Sequence, residues 1–225
     1  MSWPEWVSRA EVEPSLYAAD FARLGEQIGA LLGAGCRIFH FDVGDGHFVE
    51  PVTIGPVVLE SIAPIVHEAG GVLDCHLMVD NPLRHFPQIA AAGGDSATFH
   101  YEVVDDVAAT IAAAREHGLQ VGVAFNPESE PEDVAAVAAE ADLVLCMSIH
   151  PGYSGQKFMP DAVDRIRRLR AALPERVHVQ VDGGIDNETI GPAHAAGATL
   201  LVAGSAIFGG RDLSDAYHHL LQALQ

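Results

Sequence analysis

A histidine and an aspartate lie two residues apart at the end of an apolar segment, and these two side chains could do chemistry. The segment 36–43 has the composition of a β-strand and contains both His40 and Asp42, ahead of a polar stretch at 44–47. Because strand side chains alternate between two faces, His40 and Asp42 point the same way. They could be two ligands of one metal ion, or a base beside its partner. The alternative is a polar loop that begins with two titratable groups and performs no chemistry.

The overall composition limits the classes of partner. The chain has 225 residues, with 12 Lys and Arg against 31 Asp and Glu, and its net charge is −19. A chain without a basic patch is a poor match for nucleic acid or for an anionic membrane surface. No apolar stretch reaches the ~20 residues of a membrane span, and no basic and apolar leader opens the sequence. We therefore expect a soluble, cytoplasmic protein with no nucleic-acid or membrane partner.

Cysteine and lysine usage argues against two kinds of site. Cys36, Cys75 and Cys146 lie in apolar segments, and their spacing does not fit paired zinc ligands. We predict that they are buried free thiols in a reducing compartment. Lys157 is the single lysine of the chain, which disfavours Schiff-base chemistry unless Lys157 itself performs it.

Apolar strand-like segments and amphipathic segments alternate about eight times along the chain. The predicted strands cover 12–16, 37–43, 71–75, 96–101, 119–125, 143–149, 177–181 and 199–203. The predicted helices cover 20–32, 56–68, 82–92, 105–117, 132–139, 160–173, 187–196 (capped by Asp186) and 213–224. Eight right-handed βα units close a (β/α)8 (TIM) barrel, for which 225 residues suffice.

The competing architecture is an open, doubly wound α/β sheet. Polar residues follow nearly every predicted strand, rather than only those beside one switch point, and no GxGxxG motif follows the first strand. The sequence therefore favours a single α/β barrel domain over 11–225, preceded by a loose N-terminal extension over 1–10.

The strand ends collect the remaining candidates for chemistry. In a barrel of this kind all the C-terminal strand ends meet at one face, where active sites lie. The metal-ligand types found there are His40, Asp42, His76 and Asp182, with His100 and Met147 at other strand ends. Two histidines and two aspartates could bind one divalent ion, and Zn²⁺, Mn²⁺, Fe²⁺ and Co²⁺ all remain open. The alternative for His76 and His100 is a rim histidine that is hydrogen-bonded to the backbone.

Three glycine-containing loops follow the last strands. They are 152–156 after the sixth strand, Gly183-Gly184 after the seventh and Gly204-Ser205 after the eighth. Loops at this end of a barrel often bind phosphate through backbone N–H groups and a helix N-terminus. Each loop alone could be a tight turn, but three together favour a phosphate site.

Six separated motifs resemble one family, ribulose-phosphate 3-epimerase. They are EPSL followed by ADF at 13–21, HFDVGDGHFV at 40–49, LDCHLMVDNP at 73–82, MSIHPGYSGQKF at 147–158, VDGG at 181–184 and AGS at 203–205. The resemblance covers nearly all of the chain beyond residue 10, in the order and spacing of the family.

The resemblance implies a metal-dependent (β/α)8 barrel that interconverts D-ribulose 5-phosphate and D-xylulose 5-phosphate in the pentose phosphate pathway. It implies one divalent metal ion held by His40, Asp42, His76 and Asp182, with Asp42 and Asp182 also forming the catalytic acid/base pair. The residues implied in substrate binding are Ser15, His76, Met78, Met147, Gly152, Tyr153, Ser154, Gly155, Gly183, Gly184, Gly204 and Ser205. A homo-oligomer is expected, with every state from dimer to hexamer open.

The chain departs from the family pattern at Gly44, His150 and Ser154. Gly44 stands where the family usually has Met, which predicts a more open pocket wall. These positions bear on which ketose phosphate binds, so a 3-epimerase of allulose 6-phosphate or of a tetrulose phosphate is the alternative. Rival readings are a non-catalytic phosphosugar-binding barrel, which predicts the loss of a ligand, and lysine-dependent lyases or decarboxylases, which lack a lysine at a strand end.

Overall fold

Short, fully apolar segments form the strands of a barrel in the computed structural model, which describes residues 3–7 and 9–224. The strands among these residues are β1 (Glu11–Pro14), β2 (Ile38–Gly44), β3 (Val72–Met78), β4 (Ser96–His100), β5 (Gln120–Phe125), β6 (Leu143–Met147), β7 (His178–Asp182) and β8 (Leu200–Ala203). All seven pairings run parallel, in the order β1-β8-β7-β6-β5-β4-β3-β2. A parallel bridge between Ser15 and His40 joins β1 to β2 and closes the ring. The predicted (β/α)8 barrel is confirmed.

Helices alternate with the strands and cover the outside of the barrel. Among the described residues they are α1 (Trp3–Trp6), α2 (Leu24–Gly33), α3 (Pro56–Glu68), α4 (Phe86–Ala91), α5 (Val107–Glu116), α6 (Pro131–Ala138), α7 (Ala162–Ala172), α8 (Ile190–Ala195), α9 (Ser205–Phe208) and α10 (Leu213–Ala223). β2 and β3 are buried on both faces, because helices pack outside them and the barrel interior lies inside.

Three helix starts differ from the sequence-based boundaries by three residues or more. The segments predicted to begin at residues 20 and 82 start with the 3-10 turns Phe21–Arg23 and Pro82–Arg84. The segment predicted from 187 becomes α8 only at Ile190, and its N-cap is Thr189 rather than Asp186. The Asp186 side chain instead accepts hydrogen bonds from the N–H groups of Glu188 and Thr189, which stabilises the turn before the helix.

The described part of the predicted N-terminal extension is packed rather than loose. Residues 1, 2 and 8, which the same prediction covers, lie outside the described residues. Trp3 is fully buried, and with Val7 it joins an interior apolar cluster that includes the first residues of β2, β3, β6 and β8. Its ring also lies 6.3 Å from that of His178, the first residue of β7. An indole of this size covers the N-terminal end of the barrel, and the burial of its apolar area stabilises the contact.

Cys36, Cys75 and Cys146 are buried free thiols, as predicted. Among the described residues, no helix is long and apolar enough to cross a membrane.

Candidate active site

The four predicted metal ligands come together at the C-terminal end of the barrel. His40 and Asp42 lie on β2, His76 lies on β3 and Asp182 ends β7. One ligand-type atom from each of these four side chains lies within 4.8 Å of the others. The strand register explains half of this group, since Asp42 stands directly beside His76.

Asp42 is the centre of the cluster. Its Oδ1 atom lies 3.3 Å from His40 Nε2 and 3.2 Å from His76 Nδ1. Its Oδ2 atom accepts a hydrogen bond of 2.7 Å from Ser15 Oγ. Asp182 approaches from the other side, with Oδ2 3.9 Å from His76 Nδ1. Both carboxylates therefore reach the same imidazole nitrogen.

The two aspartates have pKa values shifted in opposite directions. Burial raises the pKa of Asp42, but the adjacent His40 and His76 outweigh burial and hold it well below its ordinary range. Burial, with the negative charge of Asp42 beside it, raises the pKa of Asp182 to about 7. Without a metal ion, one carboxylate is therefore held ionised while the other is biased toward its protonated form, which is the pattern that separates an acid from a base.

The pKa values of the two histidines in the cluster, His40 and His76, also shift in opposite directions. Burial lowers the pKa of His40, yet Asp42, Asp74 and Glu13 outweigh it and raise that pKa well above its usual value. Burial lowers the pKa of His76, and Asp42 only partly compensates.

The donor set fits a divalent metal ion. His40 Nε2 is a buried atom that lacks a hydrogen-bond partner, and it faces Asp42. An unpartnered imidazole nitrogen in a buried site is costly unless something else binds it. Two imidazole nitrogens and two carboxylate oxygens suit Zn²⁺, Fe²⁺, Mn²⁺ or Co²⁺. The group formed by His40, Asp42, His76 and Asp182 could therefore hold a metal ion.

A second polar layer, which the sequence analysis missed, lies beneath this cluster. Asp74 Oδ2 is 3.0 Å from His40 Nδ1 and accepts from Gln180 Nε2, while Asp74 Oδ1 accepts from Ser96 Oγ. Gln180 Nε2 also donates to Glu13. The signal was present in the sequence: Glu13, Asp74 and Gln180 stand two residues before Ser15, His76 and Asp182, and so share their strand faces.

A cavity opens above the two aspartates. Every residue predicted to bind substrate lines it except His76, which is fully buried beneath. Among the described residues, neither histidine of the cluster lines the cavity, so the arrangement gives no support to a direct contact between His76 and a sugar. Five further wall residues, which the sequence did not predict, are all apolar or aromatic: Tyr17, Ile149, Pro151, Ile185 and Val202.

The glycine loops form one side of this cavity. Gly183 and Gly184 adopt positive φ angles of 117° and 66°. A Cβ atom at Gly183 would lie 2.3 Å from Ile149 Cγ1, and one at Gly184 would lie 2.3 Å from the backbone nitrogen of Phe158. Both positions therefore require glycine. A Cβ atom at Gly204 would lie 3.4 Å from Ser154 Oγ, which brings the loops after β6 and β8 together.

Two of the three departures from the family pattern lie away from the cavity. A Cβ atom at Gly44 would lie 2.9 Å from both Pro51 O and Val49 Cγ2, so the returning loop fills this space and the predicted opening of the wall is wrong. His150 is exposed and pairs with Glu128 at 3.2 Å. Ser154 alone lines the cavity.

Comparisons with known proteins agree with this arrangement. Residues 11–208 match the family model described as "Ribulose-phosphate 3 epimerase family". The protein named ribulose-phosphate 3-epimerase from Escherichia coli (strain K12) is 41% identical over 200 residues, which cover 88% of each chain. The protein of the same name from Bacillus subtilis (strain 168) is 38% identical over 206 residues, covering 90% of this chain and 94% of the relative.

Solved structures agree on the fold. The 3-hexulose-6-phosphate synthase from Salmonella typhimurium superimposes with a TM-score of 0.71 and 18% identity, covering 95% of this chain and 98% of that one. This likeness shows the barrel fold alone. On the family match and the identity to its curated relatives, the chain belongs to the ribulose-phosphate 3-epimerase family.

Proposed function

We propose that this protein interconverts D-ribulose 5-phosphate and D-xylulose 5-phosphate by moving a proton at C3. Asp42 and Asp182 are the acid/base pair, and one divalent metal ion is held by His40, Asp42, His76 and Asp182. The observation that carries the assignment is a pair of carboxylates, from β2 and β7, that line one cavity beside two buried imidazoles. The pKa values of the two carboxylates shift in opposite directions in the metal-free protein, which agrees with the assignment.

The proposed reaction needs two groups on opposite faces of one carbon. A carbon beside a ketone inverts when one group removes its proton and another returns a proton to the other face, through an enediolate. Asp42 on β2 and Asp182 on β7 reach the cavity from different strands. Asp42 accepts a proton from one face of C3 and Asp182 returns one to the other face, in keeping with the lowered pKa of Asp42 and the raised pKa of Asp182 in the metal-free protein. For the reverse reaction the two aspartates exchange roles.

The proposed metal ion has one chemical role. When bound, it supplies positive charge that stabilises the negative charge of the enediolate. Neighbouring side chains orient the ligands of this ion. The Asp74 carboxylate lies against the His40 imidazole, and the Ser15 hydroxyl donates a hydrogen bond to Asp42.

The remaining wall residues bind and shield the substrate in this proposal. Backbone N–H groups of Gly183, Gly184, Gly204 and Ser205, with the 152–155 loop, bind the phosphate. No lysine or arginine is among the described residues that line the cavity, so neutral donors must perform this role. Met78 and Met147 exclude water from the intermediate, since both are almost fully buried and line the cavity.

The runner-up is a 3-epimerase of another ketose phosphate, such as allulose 6-phosphate or a tetrulose phosphate. It rests on Ser154, the one departure from the family pattern that lines the cavity. A binding protein without catalysis is a weaker account, because all four proposed ligands are present. A cytoplasmic location and a homo-oligomer remain predictions.

Solvent exchange tests the proposed function. The metal-loaded protein is incubated with D-ribulose 5-phosphate in D₂O, and C3 is followed by NMR. We expect deuterium at C3 together with the appearance of xylulose 5-phosphate. Exchange only with a hexulose or tetrulose phosphate would keep the chemistry and move the specificity, whereas no exchange with any of them would overturn the proposal.

A further inference from the structure

A further histidine and a glutamate extend from the proposed metal ligand His76 toward the rim of the barrel. We propose that His100 and Glu102 are positioning residues that fix the proton of His76 on Nε2 and so leave its Nδ1 free to bind the metal ion. The inference rests on the proposed metal site.

The contacts run in one line from the cluster to the barrel rim. His76 points Nδ1 toward the cluster, 3.2 Å from Asp42 Oδ1, and its Nε2 lies 2.8 Å from His100 Nε2. His100 Nδ1 in turn lies 3.3 Å from Glu102 Oε2. Both imidazoles are fully buried, so neither ring can exchange these partners for water.

The protons along this line have one consistent arrangement if His76 is a ligand. A ligand nitrogen must carry no proton, so a neutral His76 holds its proton on Nε2. At 2.8 Å this N–H donates to His100 Nε2, which must then be unprotonated. His100 consequently carries its own proton on Nδ1, directed at Glu102. The carboxylate at the end of the line sets the tautomer of both rings.

Glu102 is held so that it can only accept. Its Oε1 atom accepts hydrogen bonds from the backbone N–H of Asn126 at 2.7 Å and from Ser129 Oγ at 2.5 Å. This leaves Oε2 for His100. The ring of Phe48 lies 4.5 Å from that of His100, centroid to centroid, and restricts the imidazole from another side.

The other histidine of the cluster, His40, is oriented in a similar way, but by a carboxylate that it contacts directly. His40 Nδ1 lies 3.0 Å from the carboxylate of Asp74, and its Nε2 faces Asp42. Each proposed imidazole ligand is thus connected to a carboxylate on its far side. His40 contacts Asp74 directly, whereas His76 is connected to Glu102 through His100. Groups behind a metal ligand typically contribute about 10–100-fold to affinity.

Glu102→Gln separates this role from simple packing. The backbone N–H of Asn126 requires an acceptor, so the amide oxygen takes that position and the NH₂ group faces His100 Nδ1. His100 must then carry its proton on Nε2, and His76 must move its own proton to Nδ1. Shape and volume are conserved, and only the direction of donation is reversed.

The experiment measures zinc affinity and histidine tautomers on the full chain. Zn²⁺ binding to the metal-free protein is measured by competition with a chelator. In the same metal-free protein, ¹⁵N NMR assigns which nitrogen of the His76 and His100 rings carries the proton. We expect wild-type His76 to be protonated on Nε2 and His100 on Nδ1. E102Q should bind Zn²⁺ about 10–100-fold more weakly and carry the His76 proton on Nδ1. Ser129→Ala, which removes a bond to the other carboxylate oxygen, is the matched control and should bind as the wild type does.

Either of two results would overturn the inference: an E102Q affinity for Zn²⁺ within about twofold of the wild type, or a wild-type His76 that is protonated on Nδ1. The tautomer measurement on the wild type decides the matter even if E102Q does not fold. Failure of the metal site itself looks different, because wild-type protein and a His40→Ala variant would then bind Zn²⁺ equally weakly while the tautomers stay as proposed.

Discussion

The carboxylate of Asp182 belongs both to the cluster of proposed metal ligands and to the wall of the cavity. Its side chain keeps 18% of its surface exposed, whereas that of Asp42 keeps 5%. Its pKa is raised to about 7 by burial and by Asp42. In the proposed mechanism Asp182 serves both the metal site and proton transfer, so an amide of the same shape would lose the proton transfer.

Asp182→Asn should therefore abolish turnover and weaken metal binding. The amide cannot exchange a proton at this position, so we expect kcat to fall by at least about 10²–10⁴-fold, the usual worth of a general acid or base. The measurements are the rate of xylulose 5-phosphate formation and Zn²⁺ competition. Asp186→Asn changes an exposed acid just beyond the same strand and should leave both unchanged. Near-normal activity of D182N would remove Asp182 from both roles.

Ser154→Gly should change KM more than kcat. Ser154 lines the cavity beside Gly204, on the side proposed for the phosphate. A phosphate contact acts alike on the bound substrate and the transition state, so its loss weakens binding without raising the chemical barrier. Steady-state kinetics with D-ribulose 5-phosphate measure both constants. His150→Asn, four residues earlier and outside the cavity lining, is the control. A change in kcat alone would contradict the expectation.

At the scale of elements, the sequence predicted the strands well because each is apolar, short and followed by polar residues. Strand alternation then placed His40 and Asp42 on one face and brought His76 and Asp182 to the same end. The pattern did not show which polar residues would meet beneath them. Glu13, for example, reads as an ordinary charge in a short strand, yet it is fully buried.

Contacts between distant segments account for what the sequence could not predict. Gly44 suggested an open wall, but the segment from Val49 to Thr53 folds back onto it, and Thr53 Oγ1 accepts a hydrogen bond from the Gly44 N–H. Likewise, Trp3 reads as part of an unstructured start and instead covers the end of the barrel. Neither outcome follows from local propensity, since each depends on the shape of the assembled barrel.

The buried polar layer should make the stability of the metal-free protein depend on pH through Glu13. Burial raises the pKa of Glu13 from 4.5 to about 7. Above about pH 4.5 the unfolded chain releases this proton while the folded chain keeps it, so stability is lost as pH rises toward 7 and is level above that. Glu13→Gln cannot ionise and should lack this loss, which is on the order of 3 kcal/mol.

Denaturant unfolding of both proteins between about pH 4.5 and 8 measures the difference. Asp182 titrates in the same window, but it does so in both proteins and cancels in the comparison. Glu26→Gln removes one negative charge from the exposed surface and controls for net charge. Parallel pH profiles for wild type and E13Q would show that Glu13 is ionised in the folded protein.

At the scale of the whole molecule, the protein and a phosphorylated substrate are both negatively charged, so they repel each other at long range. The chain carries a net charge of −19, and the family implies a phosphorylated sugar. The cavity adds Asp42 and Asp182, and none of its described lining residues is a lysine or an arginine. The long-range field therefore repels the anion, and the attraction that offsets it is local, from the hydrogen-bond donors of the glycine loops and from the proposed metal ion.

Added monovalent salt should for this reason improve substrate capture, the reverse of an electrostatically steered enzyme. The Debye length falls from ~30 Å at 10 mM to ~8 Å at 150 mM ionic strength, which screens the distant surface carboxylates but not the short contacts inside the cavity. We expect KM for D-ribulose 5-phosphate to fall severalfold over this range while kcat stays constant. D-ribulose without its phosphate is the control, and its turnover should not respond to salt because it carries no charge. A KM that rises with NaCl would contradict this prediction. It would mean that salt screens a net attraction between the cavity and the phosphate rather than a net repulsion by the acidic surface.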